Sequence, residues 1–176
     1  MYEFILKNKL KRIYRKATRE RHFLNWKDIS TIMLLFDTSH WNEAIAFVNQ
    51  LKKAGKKVTV CAYRKNDDKP YSSTTGYYII SEKEAGKWFG NPLHTIVKEL
   101  KNETFDAAID LTLSRNIPLE YLLAHTSASV KTGFKKTDFP QYDLAITTLP
   151  FGEAESYQVK ELSTQIVYYL DQISAG

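Results

Sequence analysis

Three short stretches of this chain are apolar without alternation and are bounded by polar or turn-forming residues: Thr31–Asp37 (TIMLLFD), Lys57–Tyr63 (KVTVCAY) and Phe105–Asp110 (FDAAID). A run of this length with no polar face predicts a strand covered on both sides. Between the first two the period changes. Trp41, Ala44, Ile45, Val48 and Leu51 recur at helical spacing, with Thr38 and Ser39 as capping candidates and Gly55 as the stop. After the second run comes RKNDDKPYSSTTG, polar and rich in turn residues, then a short strand at Tyr77–Ile80. Ser81 and Glu84 have the spacing of a capping box. Helices are expected over Leu93–Lys101 and Ile117–His125, strands over Ser129–Lys131 and Tyr142–Thr148, and VKELSTQIVYYLDQI reads as a closing amphipathic helix. At the other end, Leu6, Leu10, Ile13 and Ala17 place one apolar stripe on a basic amphipathic helix spanning residues 1–24.

Strands that alternate with helices pair in parallel through right-handed crossovers. The expected fold is therefore a three-layer α/β/α sandwich with a Rossmann-like, mainly parallel sheet. The Thr31–Asp37 strand should lie between the other two, and residues 28–176 should form a single domain with the N-terminal helix as its appendage. A barrel of eight β/α units needs a longer chain.

Charge changes the picture of partners more than of fold. The 176 residues carry a net +5, yet residues 1–24 alone hold eight basic against two acidic side chains, so the remainder is close to neutral. The basic helix is expected either to pack on its own domain or to meet an acidic protein partner or an anionic membrane surface; no nucleic-acid module is recognisable. No apolar run approaches the ~20 residues of a membrane span, and the basic residues near the start interrupt any signal-peptide core. With one cysteine, Cys61, no internal disulfide can form, and a cytoplasmic location is expected.

Candidate chemistry concentrates at one edge. In an open α/β sheet, ligands bind beyond the carboxyl ends of the strands, where strand order reverses. That edge should collect Asp37, Ser39 and His40 with Asp110, Ser114 and Arg115. In a ligand-binding reading, Arg115 clamps an anion and His40 moves a proton near neutral pH. In the competing reading, Ser39 caps a helix, Asp110 fixes a turn and Arg115 pairs with a carboxylate. Sharper signals are missing from the sequence: neither a glycine-rich dinucleotide loop nor a P-loop occurs, and His22, His40, His94 and His125 are scattered. No cofactor and no metal are expected. The aromatic group Tyr71, Tyr77, Tyr78, Trp88 and Phe89, set among glycines, reads either as a flap or as satellite core.

The segment FDAAIDL…AHTSASVKTGF resembles the N-terminal half of heptosyltransferase-type glycosyltransferases. The matching positions are a strand ending in Asp110, a polar turn at Ser114, and a small-residue segment from Ala128 that closes in Gly133 and Phe134. The resemblance implies a Rossmann-like half. Such transferases bind their nucleotide-sugar donor mainly in a second half, and the chain ends before one begins, so a complete transferase is not expected. The whole chain also resembles a family of unknown function found in small Bacteroidetes-type proteins. The expected function is a non-catalytic binding or interaction module; the alternative is a small enzyme or a binder of anionic small molecules at the carboxyl edge.

Overall fold

The computed structural model describes residues 2–16, 21–65, 75–87 and 92–173. Six parallel strands form one sheet: β1 (Thr31–Asp37), β2 (Lys57–Arg64), β3 (Tyr77–Ser81), β4 (Thr104–Asp110), β5 (Ser127–Phe134) and β6 (Leu144–Ile146). Their order is β3-β2-β1-β4-β5-β6, and the reversal falls between β1 and β4. Asp37 sits beside Tyr63 of β2, and Leu35 beside Asp110 of β4, so the carboxyl ends of three strands come together. The expected placing of β1 between β2 and β4 holds, as does the α/β sandwich.

Alternate β1 residues feed two separate cores. Ile32, Leu34 and Phe36 face α2 (Trp41–Lys53) and α6 (Glu155–Gln172). Met33 and Leu35 face α1 (Tyr2–Lys16), α4 (Pro92–Leu100) and α5 (Ile117–His125). Both faces are dry, which is why these strands are continuous apolar runs. Cys61 lies fully buried in the second core, and burial pushes its thiol well above the ordinary cysteine range. Among the described residues no helix is long and apolar enough to cross a membrane.

Helix α1 is part of the packing. It lies against α5 and buries Leu6 and Leu10. Consequently α5 is buried on the sheet side and on much of its outer side, with Leu119, Tyr121, Leu122 and Leu123 all enclosed. The turn α3 (Glu82–Ala85) starts with the capping box expected from Ser81 and Glu84.

Some boundaries differ from the sequence reading. The basic helix is described only to Lys16 and does not extend over residues 21–24. There the chain is tied down by non-helical contacts: Arg21 pairs with Asp143 at 3.2 Å, and the backbone N–H groups of His22 and Trp26 donate to Ser129 and Leu170. The strand expected over Ser129–Lys131 extends to Ser127–Phe134, because it has partners on both sides. The strand expected over Tyr142–Thr148 contracts to Leu144–Ile146. Tyr142 is drawn out of the ladder toward Asp110, as described below, while the Asp143 carboxylate accepts a hydrogen bond from Lys131 N at 2.7 Å.

Candidate functional site

The six residues singled out at the carboxyl edge fall into three groups. Asp37, at the end of β1, accepts hydrogen bonds from Ser39 N (3.0 Å) and Ser39 Oγ (2.8 Å). It thereby caps the single 3-10 turn Thr38–His40 that leads into α2. Ser39 is therefore the donor to a cap and not the cap itself. His40 turns toward α6, where its Nε2 lies 3.2 Å from Glu155 Oε2. It is thus remote from any joint chemistry with Asp110.

Asp110 ends β4 and is 3% exposed, too enclosed to meet a ligand directly. One carboxylate oxygen accepts from Thr112 N (2.9 Å) and Thr112 Oγ1 (2.6 Å). The other accepts from Lys136 Nζ (2.9 Å) and Tyr142 OH (2.7 Å). Lys136 also points its ammonium at Thr112 O (2.9 Å) and Thr112 Oγ1 (2.6 Å), so all three of its N–H donors have acceptors within the network. Tyr142 is held neutral: burial raises its phenol well above the ordinary range, and the adjacent Asp110 carboxylate adds to this.

Gly133 is the residue that lets this network close. A Cβ there would lie 2.7 Å from Tyr142 Cε1 and 3.0 Å from the Asp110 carbonyl oxygen. The ring cannot swing aside without giving up its hydrogen bond to Asp110. Gly133→Ala is expected to lower stability by about 1–3 kcal/mol, the usual effect of overpacking, with the loss read from chemical denaturation. Wild-type stability in that variant would show that the ring has room to move.

Arg115 has its fork occupied within the chain. Its Nε meets Glu120 Oε2 at 2.8 Å and its Nη2 meets Glu120 Oε1 at 3.1 Å. The hydrogen bond to Glu120 is the main reason that the guanidinium pKa rises above its ordinary value. Glu120 is buried, and Tyr14 of α1 donates to its Oε1 at 3.3 Å. Burial, followed by the charge of Glu120, raises the Tyr14 phenol far above its normal range. The pair thus joins the β4–α5 turn to the N-terminal helix.

A cleft of about 340 Å³ remains open at the strand reversal, lined by Asp37, Ser114 and Arg115 together with Tyr2, Tyr63, Lys65 and the acidic Glu3 and Glu82. Of the six residues, these three share one surface; Asp110 lies sealed beyond it, and Ser39 and His40 do not line it. The Tyr63 phenol is pushed up to about 12, first by burial and then by Glu82, Asp37 and Glu3. The cleft is therefore mixed in charge. Among the described residues no three His, Cys, Asp or Glu side chains converge as a metal would need. Sequence reasoning missed Lys136, Tyr142, Glu120 and Tyr14. Lys136 and Tyr142 sit in a polar stretch without periodicity, and Glu120 in a first helical turn reads as a solvated acid. Of the aromatic group, Tyr77 and Tyr78 lie half-buried in β3, while Tyr71, Trp88 and Phe89 lie outside the described residues.

Comparison with known proteins agrees with the fold. No curated protein matches the chain. The crystal structure of the glycosyl transferase family 9 protein from Veillonella parvula DSM 2008 is similar over 88% of this chain, with a TM-score of 0.52 and 15% identity. The match takes in 43% of that protein, so the chain spans less than half its length. At this identity the likeness is one of fold, and it agrees with the glycosyltransferase-like half expected from Asp110, Gly133 and Phe134. The model of one family matches nearly the whole chain, residues 3–173, and the chain therefore belongs to that family of unknown function, DUF6913.

Proposed function

We propose that the protein is a non-catalytic, cytoplasmic binding or interaction module that keeps a half-glycosyltransferase-like fold. The observation behind this reading is the closed state of the carboxyl-edge chemistry. Asp110, the acid best placed by topology, is enclosed and shared among Lys136, Tyr142 and Thr112. A general acid or base must reach a substrate atom within hydrogen-bond distance. Here the carboxylate's neighbours are the protein's own donors, and the arginine that would hold a transferred anionic group is forked onto Glu120. These residues shape and brace the edge. Asp37, Ser114 and Arg115 form the part of that edge that still faces an open cleft.

The test is an assay of the purified chain with a panel of nucleotide-sugar donors and sugar acceptors. No transfer above the uncatalysed background is expected. Turnover that Asp110→Asn abolishes, in a variant that retains its circular dichroism spectrum, would overturn the reading. So would crystallographic density for a donor phosphate held by Lys65 and Arg115, which would make the cleft a small-molecule site.

A further inference from the structure

The outer face of α1 holds the densest unpaired charge among the described residues. Leu6 and Leu10 turn inward. At 100° per residue, Phe4, Lys11, Arg12 and Arg15 lie on the opposite side, flanked by Lys9 and Lys16. All five cations are exposed, and none makes an ion pair with a described residue; the acid of the helix, Glu3, is taken by Lys7 at 2.9 Å. Acidic groups near this face are already committed. Glu120 is buried against Arg115, and Asp138, near the Phe139 ring on which Tyr14 stacks, lies 3.9 Å from Lys135. Lys9 also adds to the positive potential around His125, whose pKa falls chiefly through burial.

Phe4 distinguishes among anionic partners. It is 67% exposed and lies in line with Lys11 and Arg15, one and two turn-pairs along the same side. A phosphodiester backbone offers no apolar seat in such a row. The boundary between lipid headgroups and acyl chains offers one beside a sheet of negative charge, and aromatic and basic side chains together are what that boundary favours. The apolar stripe of α1 is already used on α5, so the helix has no second apolar face with which to insert deeply. Contact would be flat, peripheral and sensitive to salt.

We propose that the outer face of α1 docks the protein on an anionic phospholipid surface, with Lys11, Arg12 and Arg15 against the headgroups and Phe4 seated among them. This goes beyond the binding-module reading and stands apart from it, since the sugar-transfer assay probes the other end of the sheet edge and not this face.

The experiment is sedimentation of the full chain with vesicles of phosphatidylcholine alone and of phosphatidylcholine mixed with phosphatidylserine. Partitioning onto the mixed vesicles should be at least roughly tenfold stronger. It should fall steeply as salt shortens the screening length. The triple variant Lys11→Glu, Arg12→Glu, Arg15→Glu should lose it while keeping the wild-type melting temperature, because these side chains lie on the exposed face. Phe4→Ala should weaken it several-fold without changing its salt dependence, which keeps the proposal testable even if the triple variant fails to fold. Equal partitioning onto both vesicle types would overturn the proposal, as would undiminished binding by a folded triple variant. A short DNA duplex or polyglutamate bound as tightly at the same salt would reassign the face to nucleic acid or to an acidic protein.

Discussion

Removing residues 1–16 should lower the melting temperature by roughly 10 °C or more, on the scaling of about 2–4 °C per kcal/mol for a chain of this size. The reason lies in what α1 covers. Leu6 and Leu10 are each 1% exposed and belong to the same core as Met33, Leu35, Leu119 and Leu122. Without the helix, the outer side of α5 would present apolar surface to water, and Glu120 would lose its hydrogen bond from Tyr14. A milder variant tests the same point without truncation. Leu10→Ala should cost about 2–5 kcal/mol, the usual range for a leucine deleted from a packed core. For a protein whose total stability is on the order of 5–15 kcal/mol, that is a large share. If both changes left the melting transition where it was, α1 would be a detachable arm. Its buried face would then contribute nothing, and the basic face would remain its whole purpose.

The legible part of this protein was the part set by hydrophobic pattern. β1 could be read to its ends because a strand buried on both faces admits no polar residue until the sheet stops, at Asp37. The same logic located β2 and β4 to within a residue and put β1 at the strand reversal. Local capping chemistry was equally readable at Ser81 and Glu84, where two side chains three positions apart satisfy each other's backbone neighbours. Periodicity failed where long-range polar contacts determine the path. Nothing in KKTDFPQYD announces that Lys136 and Tyr142 fold back on a carboxylate more than twenty positions earlier, or that Tyr142 needs Gly133 beneath it. The candidate edge was correct as a place and mixed as a list. Topology brings Asp37 and Asp110 to the same end of the sheet, but side-chain partners decide which acids face a cleft, and those partners come from α6, from α1 and from the segment after β5. The likeness of fold to a glycosyl transferase family 9 protein does not change this, because at 15% identity it concerns the path of the backbone.

The second large effect is expected at Asp110. Asp110→Ala should destabilise the fold by about 3–5 kcal/mol, because it leaves the Lys136 ammonium buried without its counter-charge. The Lys136 side chain is 6% exposed and that of Asp110 4%, so water cannot readily replace the lost carboxylate. Thr112 would still accept two hydrogen bonds from the ammonium, but the net charge of the cluster would be uncompensated. Removing both charges should be gentler than removing one. Asp110→Ala combined with Lys136→Met should recover much of the stability, since a buried pair replaced by apolar groups often leaves little net loss. The two residues touch, so the double-mutant cycle should show coupling well beyond the ~0.5 kcal/mol scatter of independent sites. Chemical denaturation of the four proteins measures it. A carboxylate kept for chemistry would give the opposite pattern, with Asp110→Ala close to wild type in stability, the cycle additive and some activity abolished. That outcome would return Asp110 to the candidate catalytic groups and withdraw the structural role argued for it.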